Sequence, residues 1–234
     1  MKLFTREWGE GPRHAILIHG VMSDSRNWRR VGPALAERGY HVIAVDLRGH
    51  GSSPRAREYT AQLMAQDVVD TVPSAPELVV GHSLGGLTAS LAVEHLNPER
   101  VIYVDPAFSC PASTSFQRWL APAFLMLLAR ASASRIARRN PRWDREDVAI
   151  EAETFRVFDR KVIPAVLAPR VMRPPVRMIV PSLVVLADPS RLVGPDMATK
   201  LRCEGFDVRV VPGSGHVINR DDYAGFMSAL NGWV

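Results

Sequence analysis

The sequence predicts an α/β fold in which parallel strands are joined by crossover helices. Short apolar runs recur along the 234-residue chain, longer stretches of helical pattern separate them, and each run stops at Gly, Asp or His. Such runs read as buried central strands. Their small or polar terminators fall at the carboxyl ends of the strands, the edge at which open α/β sheets bind ligands.

Taken in order, the first element is an edge strand near Leu3 to Trp8, closed by the turn Gly9-Glu10-Gly11-Pro12. Central strands follow at Ala15–Ile18, Val42–Val45, Leu78–Val80 and Val101–Val104. Helical patterns at Trp28 to Arg38, Thr60 to Thr71 and Leu84 to Leu96 are each long enough to cross back over a sheet. From about Ser109 to Arg173 no strand-like run occurs. Apolar clusters (Phe116 to Leu120, Phe124 to Leu128) and a helical pattern from Glu151 to Val166 fill that span, which ends at Pro174-Pro175 and reads as a helical insertion. Strand pattern resumes at Ser182–Leu186 and Val208–Val211, separated by a helix near Pro195 to Cys203 and followed by a last helix from about Asp221 to Trp233. The expected organisation is therefore a core of residues 1–108 and 176–234, with residues 109–175 as a cap.

Composition fits one soluble globular domain, with 47% apolar and 23% charged residues and no Gly, Ser or Pro-rich linker. The N-terminal segment lacks the apolar core of a secretory signal, and no stretch reaches the ~18 apolar residues of a membrane span, so a cytoplasmic, membrane-free protein is expected. Cys110 and Cys203 are the only cysteines and stand in no metal-ligand spacing; they read as free thiols, and neither metal nor cofactor is expected. The net charge of +5 comes from scattered arginines with one dense stretch at residues 130–145. A solvated helical face explains that stretch, and nucleic acid is not an expected partner.

Chemistry concentrates at Gly81-His82-Ser83-Leu84-Gly85, a G-x-S-x-G pattern. The pattern alone is common by chance. Here it directly follows a strand and opens a helix, the context of a nucleophile elbow, where a strained turn lifts the serine hydroxyl above the sheet. Ser83 is the expected nucleophile. A hydroxyl needs a base to take its proton, and His216 fits, lying after the last strand among small residues in Gly213-Ser214-Gly215-His216. His19, His50 and His82 each neighbour a glycine in a tight turn and read as bracing residues. The carboxylate that orients the base has two claimants at strand ends: Asp188, the expected acid, and Asp105, the alternative. The backbone N–H groups of Val21 and Leu84 are the expected oxyanion donors, supplied by the loop Ile18-His19-Gly20-Val21-Met22 and by the residue after the nucleophile.

Together these segments resemble the α/β-hydrolase family, in its lid-bearing esterase, lactonase and C–C hydrolase branch. The matching stretches are His19-Gly20 followed by Trp28, Asp46-Leu47-Arg48-Gly49-His50-Gly51-Ser52-Ser53, Gly81 to Gly86 and Gly215-His216, in the order Ser, acid, His. The resemblance covers about residues 12–108 and 176–234. It implies the α/β-hydrolase fold, a mostly parallel central sheet flanked by helices, with a small helical lid inserted after the sixth strand and the Asp46 to Ser53 stretch rimming the site. One departure stands out. Where the family places its acid ahead of an apolar pair such as Leu192-Val193, this sequence has Ser190, and the aspartate lies two residues earlier. Some relatives carry the acid where Asp105 stands.

The cap's apolar residues, with Met22 and Trp119 as expected substrate contacts, imply a small or medium apolar ester or lactone. C–C bond hydrolysis and perhydrolysis use the same triad, and a ligand-binding receptor of the fold is the alternative from another class. Haloalkane dehalogenation requires an aspartate where Ser83 stands and is disfavoured.

Overall fold

The computed structural model describes residues 1–109, 122–123, 125–167 and 172–234. A single seven-stranded sheet carries the fold, in the spatial order β1-β3-β2-β4-β5-β6-β7. Its strands are β1 (Thr5–Trp8), β2 (Arg13–Ile18), β3 (Tyr40–Val45), β4 (Leu78–His82), β5 (Arg100–Val104), β6 (Ser182–Leu186) and β7 (Asp207–Val210). Only β1 runs antiparallel to its neighbour; every other pairing is parallel. The chain first steps outward from β2 to β3, then returns to lay β4 on the other side of β2. That reversal leaves a crevice beyond the carboxyl ends of β2 and β4, the topological switch point where ligands bind in open α/β sheets.

Alternation along each strand divides the core between two faces. Ile16, Ile18 and Val79 point to one side and pack with Met64, Val68, Leu87 and Val93. Ala15, Leu17, Leu78 and Val80 point to the other and pack with Trp28, Leu35, Phe226 and Leu230. The crossover helices α1 (Val31–Ala36), α2 (Ala61–Thr71) and α3 (Leu84–Leu96) supply Leu35, Met64, Val68, Leu87 and Val93, while Trp28 comes from a 3₁₀ turn after β2 and Phe226 and Leu230 from the C-terminal segment. The side chain of Thr60 caps α2 by accepting from the Leu63 N–H, and Asn97 ends α3 in the left-handed conformation.

The inserted segment leaves the sheet after β5 and contributes α4 (Ala133–Arg139), α5 (Arg145–Val157) and α6 (Val162–Val166), with residues 125–128 also helical. In chain order this is the fifth strand rather than the sixth, because a single antiparallel strand, β1, precedes the parallel set. A third apolar cluster, Ala129, Ile136, Phe155, Phe158 and Ile163, gathers beneath these helices and closes on Met22 of the core. Trp119, Phe116, Phe124 and Cys110 lie outside the described residues. After the insertion come α7 (Pro195–Cys203), α8 (Ile218–Asp221) and α9 (Tyr223–Ala229), so the expected final helix is two short ones, with Asp222 between them capping α9 through the Gly225 N–H. Among the described residues no helix is long and apolar enough to cross a membrane. Cys203 is an exposed free thiol.

Candidate active site

The elbow begins where β4 runs out. Ser83 has φ 52° and ψ −114°, a conformation that non-glycine residues adopt only when their surroundings compel it. Those surroundings are backbone. The Ser83 N–H donates to the Val104 carbonyl at 2.9 Å, and the Ser83 carbonyl accepts from Gly86, Leu87 and Ala107. The flanking glycines permit the approach: a Cβ at Gly85 would stand 2.1 Å from the Ile18 carbonyl oxygen, and one at Gly81 2.4 Å from that of Gly85. Leu84 opens α3, so its N–H is a first-turn donor without an acceptor inside the helix.

Across the switch point, the loop after β2 is held by His19. Its Nδ1–H donates to the Gly20 carbonyl at 2.7 Å while its Nε2 accepts from the Leu47 N–H at 3.0 Å, fixing the tautomer and tying this loop to the one after β3. Met22, three residues on, has φ 61°. In the Asp46 to Ser53 loop, the Asp46 carboxylate accepts from the Ser25 and Ser52 N–H groups at 2.7 and 2.8 Å. Arg48 forms a buried ion pair with Asp67 at 2.5 Å. This stretch is a scaffold around the site.

Of the two aspartates, Asp105 reaches His216. His216 Nδ1 lies 2.6 Å from Asp105 Oδ2, with the carboxylate 1% exposed and the imidazole side chain 45% exposed. Asp188, the expected acid, is engaged elsewhere: its Oδ2 accepts from the Gly213 N–H at 3.1 Å, and its backbone N–H donates to the Ser214 carbonyl. Asp188 fastens the start of the histidine loop and does not touch the ring. The physical reason lies in the backbone at the end of β5, where Asp105 has φ 36° and its N–H still donates to Val185, one strand over. That kink aims the carboxylate along the sheet edge toward the loop after β7. Burial raises the Asp105 carboxyl, but the hydrogen bond and charge of His216, with a further hydrogen bond from Ser190, outweigh it and hold the group below the usual carboxylate range. Ser190, in the position where the family carries its acid, also accepts from the Leu192 and Val193 N–H groups.

His82, beside Ser83, is buried and pushed down to about 3 by that burial and by the neighbouring His216. As a neutral ring it donates Nε2–H to the His216 carbonyl at 2.9 Å, and the two rings lie 4.7 Å apart. It braces the histidine loop from the last residue of β4, not from a tight turn.

Ser83, His216, Val21 and Met22 all line one cavity of about 270 Å³. Its inserted wall brings Leu125, Leu128, Ile136 and Phe155, along with Glu151, which sequence reasoning missed. Glu151 Oε2 accepts from Arg220 Nη1 at 2.8 Å, and burial raises its carboxyl above the usual range. Arg220 also stands 3.5 Å from Asp147 and 4.8 Å over the ring of Trp143. A signal for Glu151 did exist. It shares a helical stripe with Asp147, Thr154 and Phe155, all buried, so a carboxylate on that stripe had to face inward. Among the described residues no group of three or more His, Cys, Asp or Glu side chains is arranged to hold a metal ion.

Known proteins fit this architecture. Over 130 residues the chain is 38% identical to a pimeloyl-[acyl-carrier protein] methyl ester esterase of Aeromonas hydrophila, covering 53% of this chain and 49% of that protein. Over 131 residues it is 30% identical to esterase PIR7B of Oryza sativa, covering 49% and 48% respectively. The chain thus spans about half the length of these curated relatives. Among solved structures, an esterase from Exiguobacterium antarcticum superposes with a TM-score of 0.79 at 16% identity, over 99% of this chain and 94% of that one. An E-2-(acetamidomethylene)succinate hydrolase superposes at 0.79 and 24% identity, over 97% and 93%. These two likenesses are of fold. A model of the alpha/beta hydrolase family matches residues 15–229, and with its seven-stranded sheet and serine elbow this chain belongs to the alpha/beta hydrolase family.

Proposed function

We propose that the protein is a serine hydrolase that cleaves a small or medium carboxylic ester or lactone, with Ser83 as nucleophile, His216 as general base and Asp105 as the acid behind it. The observation that carries this reading is the 2.6 Å contact between His216 Nδ1 and Asp105, at the edge of a cavity that Ser83 also lines. Asp105 holds the imidazole with Nε2 free to take the Ser83 proton, and stabilises the imidazolium that results. Attack by Ser83 Oγ on the acyl carbon gives a tetrahedral oxyanion, for which the N–H groups of Val21 and Leu84 are the donors. Collapse expels the alcohol, protonated by His216, and water repeats the sequence on the acyl-enzyme. No cofactor or metal takes part.

Support for an ester comes from the esterase names of the two curated relatives. The cavity volume lies just below the usual range of about 300–1,000 Å³ for ligand pockets, in keeping with a small substrate. Residues 109–175 serve as the lid of this pocket, and the protein works on a small molecule in the cytoplasm. Hydrolysis of short p-nitrophenyl esters tests the proposal: turnover should vanish in Ser83→Ala, and activity retained in that variant overturns it.

A further inference from the structure

The cavity carries polar groups that ester hydrolysis does not use. Ser23 and Asn27, on the 3₁₀ turn after β2 and the residues leading into it, are 8% and 3% exposed and both line the cavity. Ser23 Oγ and Asn27 Nδ2 are buried without a hydrogen-bond partner among the described residues. Neither side chain is busy elsewhere. Asn27 engages α8 only through its backbone carbonyl, which accepts from Asn219 Nδ2 at 2.9 Å. Glu151 enters the same cavity from α5, with Oε2 engaged by Arg220 and Oε1 receiving no donor among the described residues.

Buried polar groups of this kind are satisfied by a ligand or by ordered water, because leaving them unmatched is costly. Each of the two atoms has under 1 Å² of accessible surface, so a ligand in the cavity engages them through a rotation of the Ser23 hydroxyl and the Asn27 amide, both on residues of the cavity wall. The set offers an amide, a hydroxyl and a carboxylate oxygen, and so complements a group that both accepts and donates. An anion beside Glu151 is disfavoured by that carboxylate; Arg139 also lines the cavity, and the terminal carboxylate in the panel below tests whether it draws an anion there instead. Cations gain little, since Arg220 already pairs with that carboxylate at 2.8 Å.

We propose that Ser23, Asn27 and Glu151 form a polar subsite for an uncharged amide or hydroxyl group of the substrate. The ligand oxygen accepts from Asn27 and Ser23, and its N–H or O–H donates to Glu151. Leu125, Leu128 and Phe155 take the hydrocarbon beside it. This rests on the hydrolase reading above and narrows it from an apolar ester to one bearing a hydrogen-bonding group.

The test is a panel of p-nitrophenyl esters whose acyl chain carries an amide moved one carbon at a time, each beside its methylene isostere and a terminal carboxylate. At one position the amide should be preferred about tenfold or more in kcat/KM. That preference should collapse toward unity in Asn27→Ala and in Glu151→Gln, with melting curves showing that both fold. A second measurement removes the dependence on turnover: calorimetric binding of N-alkyl amides and matched ketones to Ser83→Ala protein, with and without Asn27→Ala. Ester turnover with no amide preference at any position overturns the subsite and leaves the hydrolase reading standing. An absence of all turnover together with selective amide binding lost in Asn27→Ala overturns the hydrolase reading and supports the subsite. A preference that persists in both variants overturns the assignment of these residues.

Discussion

The two walls of the cavity are made in different ways. The core wall is built from strand ends and held by backbone: Ser83 N–H to Val104, Asp105 N–H to Val185, and three amides on the Ser83 carbonyl. The inserted wall is held mainly by side chains carrying charge. Arg29 reaches Asp144, Glu146 and Asp147 of the cap, Arg26 pairs with Glu153 at 2.7 Å, and Trp143 Nε1 donates to Asp221 at 2.9 Å. Backbone ladders fix positions to within the reach of a reacting atom. Ion pairs between long side chains hold an orientation more loosely, and salt weakens them. The backbone-held wall is therefore expected to be the rigid one, and the wall held by charged side chains the adjustable one.

The sharpest test of this contrast compares the two aspartates. Asp105→Asn should lower turnover by about four orders of magnitude, while Asp188→Asn, which loses only a hydrogen bond to a loop amide, should keep turnover within tenfold; single-turnover kinetics of both variants decides the assignment. Next in size is the rigid wall itself. Gly85→Ala places a Cβ against the Ile18 carbonyl, a backbone atom that cannot swing aside, and should cost about 1–3 kcal/mol in urea unfolding. On the adjustable wall, Arg29→Ala should speed amide exchange across α4 and α5 while leaving the sheet protected. Its melting temperature should fall by only about 2–4 °C, the shift expected for about 1 kcal/mol in a chain of this size.

The last contrast concerns pH. His50 and His82 are both held near 3 by burial, well below the ordinary 6.5, so the unfolded chain takes up protons that the folded chain refuses. Stability from keeping them neutral is complete above about 6.5 and drains away as pH falls toward 3, by at most about 1.4 kcal/mol per pH unit for each ring. His50→Gln should reduce that slope by about one proton in urea titrations across the acid limb. An unchanged slope would mean that His50 titrates normally in the fold.

The same contrast explains how much the sequence disclosed. Buried parallel strands are continuous apolar runs, so β6, α3 and α7 are located to the residue, and the strand-turn-helix context locates Ser83. The choice between Asp105 and Asp188 is a different kind of question. Both end neighbouring strands, and what separates them is a backbone kink at Asp105 that no residue type announces. Ser190 was the available hint, since a serine in the family's acid position left the carboxylate to come from elsewhere. The cap is harder still. Its helices are short and rich in arginine, and whether a given Arg faces solvent or, like Arg220, lies buried against Glu151 depends on packing between segments far apart in the chain.

Ser83 and Asp105 directly follow β4 and β5, Met22 lies in the loop after β2, and all three have positive φ without being glycine. Each is a place where the folded chain sits uphill of its own local preference, by about 1–3 kcal/mol apiece. A thermostabilising campaign that regularised these corners would gain margin and lose the alignment they provide. Its safer ground is the cap, where added cross-links or better-matched charges can raise the melting point without disturbing the geometry at the strand ends.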